Sequence, residues 1–120
     1  MSRVVHFELA AEDMHRARQF YSDIFGWQFQ QWGDGYWLIT TGDDASRGIN
    51  GGLSKKTEPN ESTTIIIDVE NLDESIGKIE SNGGKIVVPR MAVPGVGYVA
   101  YGQDTEGNTF GMMQADSSAA

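Results

Sequence analysis

Apolar and polar positions alternate along residues 3 to 10, with Val5, Phe7 and Leu9 on one side and Val4, His6 and Glu8 on the other. This is the period of a half-buried strand. Asp13 then stands where an N-cap belongs. Met14, Ala17, Tyr21, Ile24 and Phe25 follow at helical spacing up to Gly26, a residue suited to a left-handed helix end. From Trp27 the period returns to two, through WQFQQW, the turn Gly33-Asp34-Gly35 and YWLIT, which predicts a hairpin. After a polar loop over 42–47, GINGGLSK is strand-like in position but rich in glycine, which implies a bulge or the close approach of another group. The first half thus reads β-α-β-β-β.

The second half repeats that order. Thr63 to Val69 forms a strand, Asn71 caps a helix carrying Leu72, Ile76 and Ile79, and Gly83-Gly84 ends it. Lys85 to Val93 is a strand interrupted by Pro89, which suits an edge or a bend. Pro94-Gly95 turns the chain into a last hairpin, 97–103 and 109–114, closed by Asp104-Thr105-Glu106-Gly107-Asn108. A pairing of Gly102 with Gly111 in this hairpin would set Tyr98, Ala100 and Gly102 on one face with Thr109, Gly111 and Met113. Met14 with Leu72, Tyr21 with Ile79 and Gly26 with Gly84 share one constant offset, a two-fold internal repeat.

The expected fold is α+β. One domain, 1–114, holds two β-α-β-β-β modules at about 3–54 and 63–114, joined by a polar linker over 55–62. Together they form a curved, partly closed mixed sheet with helices on the convex side and a concave pocket. Residues 115–120, small and polar, are expected to be a disordered tail.

Composition narrows the function. Seventeen acids against nine bases give a formal charge of −8, which works against nucleic acid and anionic membranes. No run approaches the roughly 20 apolar residues of a membrane span. With no cysteine there is no disulfide and no thiolate site, and a cytoplasmic location is the expectation. GINGGL lacks the lysine and following helix of a phosphate loop, and no nucleophile elbow is present.

The segments VVHFELAAED, FYSDIFGW, DVENLDESIGKIESNGGKI and DTEGNTFGMMQ together make the chain resemble the vicinal oxygen chelate superfamily of glyoxalases, bleomycin-resistance proteins and extradiol dioxygenases. The resemblance covers nearly the whole chain. In metal-using members it implies four ligands: a His in the first strand, an acid in the fourth, a His or similar group in the fifth and a Glu in the eighth. His6 matches the first. Gly51 or Gly52, Thr64 and Gly111 stand at the others, and none of these is an ionisable ligand. The expectation is a metal-free protein that binds a small, aromatic or cationic ligand, lined by His6, Glu8, Trp37, Gly51, Gly52, Thr64, Tyr98, Gly111 and Met113, the glycines leaving room for it. One alternative is a glyoxalase-like lyase or isomerase, or a dioxygenase-related enzyme, with a divalent ion displaced onto His6, Glu8 and Asp68. A second uses His6 and Glu8 as an acid-base pair. A third is a binding or regulatory module without catalysis. The resemblance also implies a homodimer.

Overall fold

Alternation and capping act where the sequence places them. A computed structural model describes residues 2–58 and 61–120, so Pro59, within the expected linker, lies outside the described residues. The elements in order are β1 (Val4–Ala11), α1 (Met14–Phe25), β2 (Gln28–Gln31), β3 (Tyr36–Thr40), β4 (Gly51–Lys55), β5 (Thr64–Asp68), α2 (Leu72–Ser81), β6 (Lys85–Val93), β7 (Gly97–Gln103) and β8 (Thr109–Ala115). This α+β chain divides into a first unit, 6–64, and a second, 65–120 with the residues before His6.

In the first unit the strands lie in the order β2-β3-β4-β1. β1 runs parallel to β4, pairing Phe7 with Gly51 and Glu8 with Gly52, while β3 is antiparallel to β2 and β4. Asp13 accepts a hydrogen bond from the Arg16 amide at 3.0 Å, and Gly26 closes α1 at φ 72°. α1 meets the strands through rings. Tyr21 stacks on Trp27 at 5.0 Å, Trp27 lies 5.8 Å from Phe7, and the Arg18 guanidinium sits 3.8 Å over the Trp37 ring. Beneath them Ile39 and Leu53 are fully buried. The helix itself buries no residue completely. Strand parity then puts His6 and Glu8, Gly52 and Leu38 on the face away from α1.

In the second unit the order is β5-β8-β7-β6, with β5 parallel to β8 and the remaining pairs antiparallel. Asn71 caps α2 by accepting from the Glu74 amide at 3.0 Å, and Gln114 Oε1 accepts from the Leu72 amide at 2.8 Å. α2 covers an aliphatic core of Val69, Leu72, Ala100 and Met112, packed round by Ile67, Ile76, Ile79, Ile86, Tyr98 and Phe110. β6 is an edge strand, and its pairing with β7 shifts register between Ile86 and Val88 and again between Val88 and Met91, the second shift spanning Pro89, which cannot donate to the ladder.

One expectation is corrected. The last hairpin pairs Tyr101, not Gly102, with Gly111. The Asp104 amide donates to the Asn108 carbonyl, and Gln103 faces Thr109 beyond that closure. With a period of two, the one-residue difference exchanges faces. Tyr101 and Val99 share a side with Gly111 and Met113, and Tyr98 packs toward α2. The segment 116–120 makes contacts with the second unit. The Asp116 amide donates to the Val96 carbonyl, the Gly95 amide donates to Ala119 at 2.9 Å, and Ala119 is buried.

Candidate functional site

Two residues apart on β1, His6 and Glu8 point from the same face, as alternation requires. The structure adds a third group, Tyr36, that the sequence alone did not single out. Tyr36 opens β3 directly after a turn in which Gly33 and Gly35 hold φ of 72° and 73°, a conformation open to glycine. Its side chain leans across β4, reaching between the two β1 residues. The Tyr36 hydroxyl donates to Glu8 Oε2 at 3.2 Å and lies 3.1 Å from His6 Nε2.

Gly52 makes this possible. A Cβ there would collide with the Tyr36 hydroxyl and Cζ and lie 3.0 Å from Cε1. The glycine expected to open a ligand space therefore admits Tyr36 instead. Gly51 lies on the opposite face, where a Cβ would meet the Phe7 carbonyl at 2.6 Å and its ring at 2.7 Å. Trp37 shares that helix side under Arg18, so neither residue joins His6 and Glu8.

In the second unit an isoleucine and a tyrosine ring take the corresponding places. A Cβ on Gly111 would run into Ile66 Cδ1 and lie 2.9 Å from Tyr101 Cε2. The room expected at Gly111 is thus taken by Ile66 and Tyr101. Met113 shares the face of Gly111, Thr64 opens β5 half-buried, and Asp68 ends that strand.

Electrostatics agree with the contacts. Burial lowers the His6 pKa below its ordinary value, and the Glu8 charge opposes that only in part. Tyr36 is pushed well above the usual phenol range, first by burial and then by the charge and hydrogen bond of Glu8. At neutral pH the cluster is a neutral imidazole, a phenol and Glu8.

The donor set does not fit the family's metal centre. Gly52 and Gly111 carry no ligand atom and their flanks are filled by tyrosines, and among the described residues no three His, Asp or Glu side chains gather to hold an ion. Tyr36 was legible only in part. Parity sets it opposite Trp37, but its diagonal reach over Gly52 depends on the twist between strands.

Two β-α-β-β-β units, the first with a polar cluster beside the fourth strand, define the α+β class of fold. The chain matches the model of the Glyoxalase/Bleomycin resistance protein/Dioxygenase superfamily over residues 3–112, and it belongs to that family. It is 34% identical over 110 residues to a glyoxylase-like domain-containing protein of Didymella fabae, covering 85% of each chain. Methylmalonyl-CoA epimerase of Mycobacterium tuberculosis shares the fold at TM-score 0.67 and 14% identity, over 94% of this chain and 87% of that one. A superfamily member from Vibrio splendidus 12B01 superposes at TM-score 0.66 with 17% identity, over 95% and 99%. Among the described residues no helix is long and apolar enough to cross a membrane.

Proposed function

We propose that this chain binds a small organic molecule at the strand face of its first unit, with His6, Tyr36 and Glu8 as the polar anchor and without a metal ion at the family's ligand positions. The observation that carries the reading is the hydrogen-bonded convergence of these three side chains, which Gly52 permits. A core contact would not need a half-buried imidazole and a carboxylate tied together through a phenol, whereas a polar anchor in an otherwise apolar wall is what fixes a ligand's orientation. The ligand is aromatic or cationic, in keeping with a chain of net charge −8.

Thermal-shift and NMR screening of aromatic and cationic compounds tests this. A saturable stabiliser that perturbs the His6 ring resonances in the native protein, and no longer binds Tyr36→Ala, is the expected result. A folded protein with no such binder would overturn the reading. Elemental analysis is expected to find no stoichiometric Zn, Ni, Mn or Fe, and finding one of them would overturn the metal-free part. The protein would act in the cytoplasm as a homodimer, since Phe20, Ile24 and Phe25 on α1 are 54%, 56% and 60% exposed and offer a second copy apolar surface. Sedimentation at micromolar concentration should give twice the chain mass.

A further inference from the structure

We infer that Asn82, at the end of α2, is a site of spontaneous deamidation: the Gly83 amide nitrogen closes on its side chain and turns Asn82 into aspartate or isoaspartate. The chain has two Asn-Gly pairs, 50–51 and 82–83. Glycine after asparagine favours the closure, since it has no Cβ to crowd the nitrogen and its backbone turns freely. By sequence the two pairs are equal, and the fold separates them. Asn50 is held. Its Oδ1 accepts from the Thr41 amide at 3.0 Å and lies 3.4 Å from the Thr41 hydroxyl, which fixes the side-chain carbonyl. Gly51 is buried in the β1–β4 pairing opposite Phe7, and a Cβ there would lie 2.6 Å from the Phe7 carbonyl, so this backbone has no room to swing.

Asn82 and Gly83 are both exposed. The Asn82 amide donates to the Lys78 and Ile79 carbonyls and the Gly84 amide to Ile79, yet the Gly83 amide between them makes no hydrogen bond among the described residues. That nitrogen is the attacking atom. The Asn82 side chain is tied within its own helix end, its Nδ2 donating to the Lys78 carbonyl at 2.7 Å. Closure needs that bond released and a rotation of Asn82 from its ψ of 18°. Both movements belong to the fraying end of a helix, where opening costs least, and Gly83 at φ 93° already lies outside the helical turn.

The Gly83 nitrogen gives up its proton and forms a bond to Asn82 Cγ. The Cγ–Nδ2 bond breaks, and Nδ2 leaves as ammonia with a proton equal to the one given up, so that a cyclic succinimide remains. Water then opens the ring. Cleavage at Cγ gives aspartate, and cleavage at the backbone carbon gives isoaspartate, in which the chain runs through Cγ. Both products lose the Nδ2 donor to Lys78 and set a negative charge at the C-terminal end of α2, where the helix dipole opposes it. The last turn of α2 is expected to loosen once the change has occurred.

Incubation of the native protein in warm, mildly alkaline buffer, followed by peptide mapping, tests this. The peptide with Asn82 is expected to gain the mass of an amide turned acid and to split into aspartyl and isoaspartyl forms, about tenfold or more faster than the peptide with Asn50. The unfolded protein should convert both pairs at comparable rates, which assigns the native difference to the fold. Asn82→Gln should remove the fast product and the ammonia released with it. Asn82→Asp, the product made directly, should lose amide-exchange protection in the last turn of α2 while staying folded elsewhere. Native Asn50 modified as fast as Asn82, or Asn82 intact while the unfolded chain converts, would overturn the inference. Unchanged protection in Asn82→Asp would overturn the consequence drawn for α2.

Discussion

The two units place a glycine at corresponding points and cover it with a tyrosine, yet they surround the pair differently. In the first unit Glu8 faces Gly52 across the parallel β1–β4 pairing, and Tyr36 arrives from β3 to bond Glu8 and His6. In the second, Ile66 faces Gly111 across the parallel β5–β8 pairing, and Tyr101 arrives from β7. One glycine is seated beside a polar cluster and the other between Ile66 and the Tyr101 ring. The helix sides differ too: α1 rests on an aromatic ladder with no fully buried residue of its own, and α2 on a closed aliphatic core. A glycine in such a sheet therefore does not announce an open pocket, because its neighbour decides whether the space is filled.

The largest effect should come from Gly111→Glu. The new side chain must displace Ile66 and Tyr101 and place a carboxylate among apolar groups, a loss of about 3 kcal/mol or more by chemical denaturation. An unchanged midpoint would mean that the second unit's glycine is not packed as described. Gly52→Ala should cost less, about 1–2 kcal/mol, because the first atom met is the movable hydroxyl end of Tyr36. In a Tyr36→Ala background most of that cost should vanish, and additive losses would break the proposed coupling.

The loops and registers explain how much of this was legible. Alternation and caps located both helices and all the strands, because period and capping are local. Tyr98 was placed on the wrong side because the face of a strand depends on where a turn closes, and Asp104–Asn108 closes one residue away from the guess. His6 and Glu8 were legible from β1 alone. Tyr36 was not, since its partners stand 28 and 30 residues away in the chain. Gly52 and Gly111 were seen as missing ligands, but their tyrosine covers are long-range contacts that no local pattern encodes.

Removing only the hydroxyl sharpens the contrast further. Tyr36→Phe keeps the ring over Gly52 but removes the hydroxyl's bonds to Glu8 and His6, and a loss of about 1–2 kcal/mol is expected for the hydrogen bonds removed. The pH dependence follows from the lowered His6 pKa. The unfolded state binds the His6 proton more readily than the folded one, so this contribution is present above about pH 6.5 and declines as pH falls from there through the folded value. A His6 titration by NMR should centre below 6.5. Glu8→Gln should lower it again, since the Glu8 charge raises it; an upward shift would break the assignment. The smallest effect is expected at Arg18, whose buried Nε lacks a hydrogen-bond partner while its guanidinium lies over Trp37. Arg18→Met exchanges a cation–π contact for relief of that nitrogen and should change stability by less than about 1 kcal/mol. In the second unit Arg90, over Tyr98, also has Asp73 at 2.7 Å.

The parallel pairing of β1 with β4 has a kinetic consequence. The β2–β3 hairpin joins residues 31 and 37, so it can close early and bring Tyr36 to its place. Phe7 and Gly51 must be gathered across most of the first unit before Glu8 and His6 can meet that hydroxyl. Ordering a long segment precedes any gain from the contact, and Gly51 and Gly52 contribute little side-chain surface to hasten it. The cluster at Tyr36 is thus expected to be completed late in refolding, and the His6 signal should mature after the hairpin's own.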